Sequence, residues 1–122
     1  MSAYARFAAV ALLGLLAADA VNVSGQWQFQ VKAPVGSGEV VFTLRQDAEK
    51  ISGRSSGPLG DADVTGSIKG QKLTLSVMHE KGGKRMEETF TGTVEDTNSI
   101  KGTLTQQYMG DGTFTAKRQA AK

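Results

Sequence analysis

Two side chains of this sequence have the chemistry for proton transfer near neutral pH. His79 is the chain's single histidine, and Glu88 follows it in the next segment. Both occupy the apolar-facing parity of segments that alternate apolar and polar residues, so they are expected to meet across one hairpin. A carboxylate beside an imidazole can alter the acidity of both groups and support acid–base work. An ion pair at a solvated rim uses the same groups. We expect that structural role, with no catalytic residue and no enzymatic activity.

Other motifs that resemble catalytic or metal-binding sites give weaker evidence of function. Gly53–Gly57 fits the G-x-S-x-G pattern of serine hydrolases, but that mechanism needs a strand–turn–helix elbow and a histidine base. Here the stretch leads from a strand into a polar loop. With one histidine and no cysteine, the chain cannot supply the ligands of a zinc site. Asp61, Asp63 and Asp111 lack the ordered oxygen spacing of a calcium loop. We expect no metal and no cofactor.

A group of polar and polarisable residues is the candidate ligand-binding site. His79 and Glu88 point inward, Gln106 and Tyr108 belong to the adjoining segment, and Met86 lies between them. Such a crescent at one end of an apolar interior is typical of a small-molecule site. The alternative interpretation is a solvated rim above a filled core.

The elements that would position these residues are eight short segments of alternating pattern, separated by turn residues. This rhythm predicts an all-β fold, an eight-stranded antiparallel up-and-down β-barrel preceded by a signal-peptide helix. Inward glycines would let the strands coil tightly. The predicted inward positions are Trp27, Phe29 and Val31; Val40, Phe42 and Leu44; Ile51, Gly53 and Ser55; Val64, Gly66 and Ile68; Leu73, Leu75, Val77 and His79; Met86, Glu88, Phe90, Gly92 and Val94; Ile100, Gly102, Leu104 and Gln106; and Phe114, Ala116 and Arg118.

The connections predict two unequal barrel ends. Short links near residues 47–48, 70–71 and 96–98 alternate with longer, glycine-rich connections near residues 34–37, 56–61, 80–84 and 108–111. Because loops alternate ends in an up-and-down barrel, the short links share a narrow end and the longer ones a wide end. The short links predict three facing pairs: Leu44 with Ile51, Ile68 with Leu73, and Val94 with Ile100. Counting inward side chains, we expect the narrow part to be filled and only the wide end to be hollow.

The beginning of the chain predicts export. A charged start, an apolar run over residues 7–17 and the small residues Ala18 and Ala20 match a secretory signal peptide, which we place at residues 1–20. Residues 21–122 would form a single β-barrel domain. The apolar run is too short to span a bilayer. The net charge of +2 is too small and dispersed for nucleic-acid or membrane binding. We expect a monomeric periplasmic or secreted protein.

The two chain-terminal strands carry a resemblance. Gly25-x-Trp27 begins the first segment, Arg118 ends the last, and the closing segment Gly112–Arg118 completes the pattern. The chain resembles the calycins (lipocalins, avidins and related small barrels) and uncharacterised exported bacterial barrel domains, over residues 24–119. The resemblance implies that Trp27 packs against Arg118 where the barrel closes. The single tryptophan argues against an avidin-like biotin site.

Together these observations favour an exported, noncatalytic barrel that binds a small apolar or amphipathic ligand at its wide end. The alternative is a protein–protein interaction module, such as an inhibitor of a secreted hydrolase, that uses its loops. An enzyme built on Glu88 and His79 is a third interpretation. A cavity of a few hundred cubic ångströms would favour the first interpretation, and a filled barrel with projecting loops the second.

Overall fold

The computed structural model describes residues 21–119, except residues 35 and 59. The predicted signal peptide, residues 1–20, lies outside these residues. No helix in the described part of the chain is long and apolar enough to cross a membrane. The elements are eight strands: β1 (Gly25–Ala33), β2 (Gly36–Asp47), β3 (Lys50–Ser56), β4 (Ala62–Lys69), β5 (Lys72–Lys81), β6 (Lys84–Asp96), β7 (Ser99–Gln106) and β8 (Gly110–Arg118).

Each strand pairs with its sequence neighbours in antiparallel register, and β1 also pairs with β8 to close the barrel. The closing register places Trp27 opposite Arg118 and Val31 opposite Phe114. Closure leaves no strand edge unpaired, which matters for a chain that has no cysteine and hence no disulfide to stabilise it. The predicted eight-stranded antiparallel barrel is confirmed.

The interior follows the alternation of the sequence. Inward positions along all eight strands are buried or half-buried, and most of their neighbours are exposed. Four phenylalanines form an aromatic layer across the middle of the barrel, with ring centroids between 4.3 and 5.6 Å apart in stacked and edge-to-face pairs. The aromatic layer consists of Phe29, Phe42, Phe90 and Phe114.

Inward glycines allow the strands to approach one another closely. A Cβ atom on Gly53 would collide with the carbonyl oxygen of Thr43, and one on Gly102 with that of Thr91. Both glycines are therefore required by the backbone of the neighbouring strand rather than by a shortage of interior room. Tight coiling at such positions is what curves a sheet of only eight strands into a closed barrel.

Two of the three predicted facing pairs are confirmed: Ile68 lies opposite Leu73, and Val94 opposite Ile100. The pairing of Leu44 with Ile51 is wrong, because Ile51 faces Gln46. The turn falls at residues 48–49, one position later than predicted, with Ala48 at a φ of 57°. Moving a hairpin turn by one residue shifts the facing pair by two.

The contrast in loop length between the ends is smaller than predicted. At the wide end, which carries the β1–β2, β3–β4, β5–β6 and β7–β8 connections, only β3–β4 and β7–β8 exceed two residues. The prediction of four longer connections is therefore wrong for β1–β2 and β5–β6. There the strands continue to the hairpin tips, so the wide end is built mainly of paired strands.

The narrow end is closed by the segment before β1. Trp27 is fully buried and donates its indole N–H to the carbonyl of Val23 at 2.9 Å. Arg118 lies over the Trp27 ring, with Cζ 4.5 Å from the ring centroid. Its guanidinium also donates to the carbonyls of Ser24 at 2.6 Å, Asn22 at 2.8 Å and Thr97 at 3.0 Å. One side chain thus joins the end of β8 to the entry segment and to the β6–β7 turn.

Candidate ligand-binding site

A cavity of about 230 Å³ occupies the wide end of the barrel. Its position agrees with the expectation that only this end is hollow. The aromatic layer lies beneath it, since Val31 is the next inward residue after Phe29 on β1, and Glu88 the one before Phe90 on β6. Apolar lining comes from Val31, Ala33, Val40, Pro58 and Met109, and polar lining from Ser55, His79, Glu88 and Gln106, with the remainder small residues.

Three of the polar side chains form one connected group on neighbouring strands. His79 Nε2 lies 3.2 Å from Glu88 Oε1, and Gln106 Nε2 donates to Glu88 Oε2 at 2.8 Å. Glu88 faces Gln106 directly in the β6–β7 register, which explains the second contact. The Glu88 side chain is 6% exposed and that of His79 11% exposed. We call His79, Glu88 and Gln106 the polar row.

Two buried polar atoms at the cavity have no hydrogen-bond partner among the residues that the structure describes. They are Ser55 Oγ and Gln106 Oε1, in residues that are 2% and 6% exposed. Leaving a buried polar group unpaired costs a folded protein about 1–3 kcal/mol. Both residues line the cavity, so a small rotation of either side chain would bring its unpartnered atom into contact with a molecule held there.

The two unpartnered atoms lie on opposite walls. Ser55 belongs to β3 and Gln106 to β7, and four steps separate these strands in a closed ring of eight. They therefore lie on opposite sides of the barrel, with Ser55 beside Phe42 of the aromatic layer and Gln106 beside Glu88. The cavity has one polar wall with a carboxylate, an opposite wall with a single hydroxyl, and apolar side chains between them.

The structure brings together three of the five predicted site residues: His79, Glu88 and Gln106 all line the cavity. Met86 is half-buried one inward position nearer the hairpin tip and does not line it. Tyr108 is 86% exposed, in the β7–β8 turn, with a φ of 71°. The cavity extends to the β3–β4 and β7–β8 connections, through Pro58 and Met109, but not to Met86 or Tyr108.

Sequence reasoning missed Ser55 and Met109 as lining residues. Ser55 was placed inward on β3, but no role in binding was given to it. A hydroxyl on an otherwise apolar face is the signal that could have identified it. Met109 follows Tyr108 in a turn, where alternation no longer predicts the direction of a side chain, so no pattern in the sequence indicated it.

The serine and metal motifs of the sequence can be located in the structure. Ser55, the central serine of Gly53–Gly57, lies within β3, and its hydroxyl makes no hydrogen bond with a described residue. Among the residues that the structure describes, no three histidine, aspartate or glutamate side chains are grouped to hold a metal ion.

Comparison with known proteins identifies the fold but no family. No family model matches the sequence, and none of the curated proteins matches it. Among solved structures, a redesigned β-barrel, mFAP0, bound to DFHBI, has a TM-score of 0.59 at 14% identity, covering 79% of this chain and 98% of that one.

Two further barrels are similar to the same degree. EF1p2_mFAP2b bound to DFHBI has a TM-score of 0.60 at 14% identity, covering 80% of this chain and 94% of that chain. A fluorescence-activating β-barrel designed de novo has a TM-score of 0.57 at 15% identity, with the same two coverages of 80% and 94%. At such identities the shared property is the fold.

Proposed function

We propose that this protein is an exported, noncatalytic β-barrel that binds one small apolar or amphipathic compound in the cavity at its wide end. The observation that carries the proposal is a cavity lined by five apolar side chains and by two buried polar atoms without partners. Unpaired buried polar atoms are rare in folded proteins, and each requires an explanation such as a bound water, an ion or a ligand.

The size of the cavity limits the ligand. A cavity of about 150 Å³ in a protein core accepts benzene. The volume of about 230 Å³ therefore fits a compound with one ring and a short substituent. An eight-stranded barrel is just wide enough to be filled by side chains or to hold one small ligand. The two similar structures that contain bound DFHBI support the same use of this architecture.

The alternative, a protein–protein interaction module, has less support. That function was expected to show a filled barrel with projecting loops. Here the interior is hollow at the wide end, and two of the four connections at that end are two-residue turns. The noncatalytic part of the proposal assigns a structural role to the contact between His79 and Glu88.

The proposed export, to the periplasm or the extracellular space, is supported by the leader pattern of residues 1–20. Kinship with the calycins is part of the same proposal, and the position of Arg118 over Trp27 at the closing strands supports it. Residues 21–122 would then be the mature binding domain.

The test is a titration of residues 21–122 with 4-ethylphenol, a single-ring amphipathic compound, followed by calorimetry and by NMR of the backbone amides. We expect one-to-one saturable binding, with shifts at Ser55 and Gln106 and none at the Trp27 indole. Ala33→Phe, which fills the cavity from β1, should abolish binding. Lys32→Phe is the matched control, because Lys32 is next to Ala33 on β1 and its side chain is exposed on the outer face.

Two results would contradict the proposed function. One is the absence of saturable binding by folded protein with 4-ethylphenol and with the related single-ring compounds named below. The other is binding that Ala33→Phe and Lys32→Phe reduce equally, because the compound would then be held on the outside of the barrel.

A further inference from the structure

We propose that the cavity selects a single-ring primary amine that carries a hydroxyl at its opposite end, with the ammonium bound by Glu88 and Gln106 and the hydroxyl by Ser55. This inference rests on the proposed function and specifies the ligand's chemical class. It follows from three features of the lining: its charge, its unused acceptors and the positions of its two polar walls.

The charge of the lining favours a cation. Among the described residues that line the cavity, Glu88 is the only acidic one, and there is no lysine or arginine. Its partner Gln106 is neutral, and His79 balances the carboxylate only when the imidazole is protonated. Folding has already removed Glu88 from water, so binding a cation costs only the hydration of the cation. The cation then places a positive charge beside the buried carboxylate. A carboxylate ligand would instead be repelled.

The acceptors on the polar wall match an ammonium group. A carboxylate has about four lone-pair positions, and the two contacts to Glu88 occupy one on each oxygen. Gln106 Oε1 adds an acceptor without a donor, on a side chain already fixed to Glu88 by its amide nitrogen. An ammonium has three donors and no acceptor, so all of its polar atoms can be paired there.

The opposite wall matches a hydroxyl. Ser55 Oγ can both donate and accept, and it is the unpartnered polar atom on β3. Between the two walls lie Val31, Val40 and Pro58, which would contact the faces and edges of a ring. A ligand that spans the cavity must therefore be polar at both ends and apolar in the middle. Tyramine has this arrangement and contains one ring.

The experiment compares four compounds of similar shape: tyramine, phenethylamine without the hydroxyl, 4-ethylphenol without the amine, and 4-hydroxyphenylacetate with a carboxylate in place of the amine. Calorimetric titrations are run at about pH 8, where an alkyl ammonium stays charged and a phenol stays neutral. We expect tyramine to bind about 10- to 100-fold more tightly than 4-ethylphenol and about 3- to 10-fold more tightly than phenethylamine. We expect no saturable binding of 4-hydroxyphenylacetate.

Substitutions test which wall of the cavity is responsible for the preference for the hydroxyl and which for the preference for the amine. Ser55→Ala should remove the advantage of tyramine over phenethylamine, whereas Ser56→Ala, on the exposed face of the same strand, should leave it intact. Glu88→Gln keeps the shape of the side chain and should remove the advantage of tyramine over 4-ethylphenol. Far-ultraviolet circular dichroism verifies that each variant folds. Phenethylamine, which lacks the hydroxyl, verifies that the cavity of Ser55→Ala is intact, and 4-ethylphenol, which lacks the amine, does so for Glu88→Gln.

The outcomes separate this inference from the proposed function. Equal affinities for tyramine and 4-ethylphenol would overturn the inference and leave the binding function standing. Tighter binding of 4-hydroxyphenylacetate than of tyramine would overturn it as well. A tyramine preference that survives Glu88→Gln would place the amine elsewhere and reject the assigned site. No binding of any of the four compounds would refute both proposals.

Discussion

Ser55 is the residue at which the requirements of a stable core and those of the proposed binding site differ most clearly. Its hydroxyl is buried on an inward position, next to apolar residues, and makes no hydrogen bond. A residue chosen only for stability at this position would be apolar, because desolvating a hydroxyl without a partner opposes folding. Under the proposed binding function, this serine lowers stability in exchange for a polar contact with the ligand.

Ser55→Ala should therefore stabilise the ligand-free protein, by about 1 kcal/mol in the free energy of unfolding. Urea denaturation followed by tryptophan fluorescence measures the change. Ser56→Ala, on the exposed face, should alter the free energy by less than about 0.5 kcal/mol. A clear loss of stability in Ser55→Ala would show that the hydroxyl has a partner in the folded protein, and would weaken its assignment to a ligand.

At this scale the sequence predicted part of the site. His79, Glu88 and Gln106 were placed inward by alternation, and the structure gathers them at one cavity. Met86 and Tyr108 could not be placed as well, because alternation gives the side of a strand but not the depth of a residue below the rim. Which hydroxyl or amide oxygen lacks a partner depends on the atoms around it, and no sequence pattern contains that information.

Among the elements, the two hairpin turns at the narrow end that join β2–β3 and β4–β5 share one backbone shape but differ in sequence. Each begins with a residue at a φ near 60°, Ala48 in the first turn and Gly70 in the second. Glycine is favoured there, because the left-handed region costs other residues about 1–2 kcal/mol. This difference explains the misplaced turn: an alanine gives no signal for the left-handed region, so the β2–β3 hairpin was predicted one residue early.

Reciprocal substitutions test this account. Ala48→Gly should raise the free energy of unfolding by about 1 kcal/mol, and Gly70→Ala should lower it by a similar amount. A Cβ atom on Gly70 would meet no other atom within 4 Å, so any loss there comes from the backbone alone. Thermal and urea unfolding of both variants measure the effects. Changes of the same sign in the two variants would contradict the assignment of strain to Ala48.

The strands were more predictable than the turns. Alternation identified the inward set on all eight strands, because a residue on the wrong face would expose the core or bury a charge. Inward glycines were expected to help the strands coil, but their neighbours were not predictable. Which carbonyl lies against Gly53 or Gly102 depends on the register of the adjoining strand, and one of those registers was itself predicted wrongly.

For the whole molecule, closure depends on contacts between the two ends of the described chain. The pairing of β1 with β8 joins segments that are far apart in sequence, so its entropic cost is the largest of the eight pairings. Arg118 reinforces this seam through the Trp27 ring and three carbonyl groups. The order of strands around the barrel was predictable because short connections force neighbours in sequence to be neighbours in space.

Arg118→Lys should lower the free energy of unfolding by about 2 kcal/mol, because a lysine keeps the charge but loses the planar fork that reaches three carbonyls. Lys117→Arg is the matched control, since Lys117 is exposed on the outer face of the same strand, and it should have little effect. Urea denaturation gives both values. Equal stabilities for Arg118→Lys and the original protein would show that the seam holds without the guanidinium contacts.

The location of the single tryptophan also determines what intrinsic fluorescence can report about this protein. Trp27 lies at the sealed pole, four residues and about 13 Å along β1 from Val31 at the cavity wall. Fluorescence of this ring should not change when a colourless compound enters the opposite end of the barrel. It should change only when the barrel unfolds. Ligand binding would then raise the melting temperature without changing the fluorescence spectrum of the folded protein. The ring therefore reports unfolding independently of how much ligand is bound.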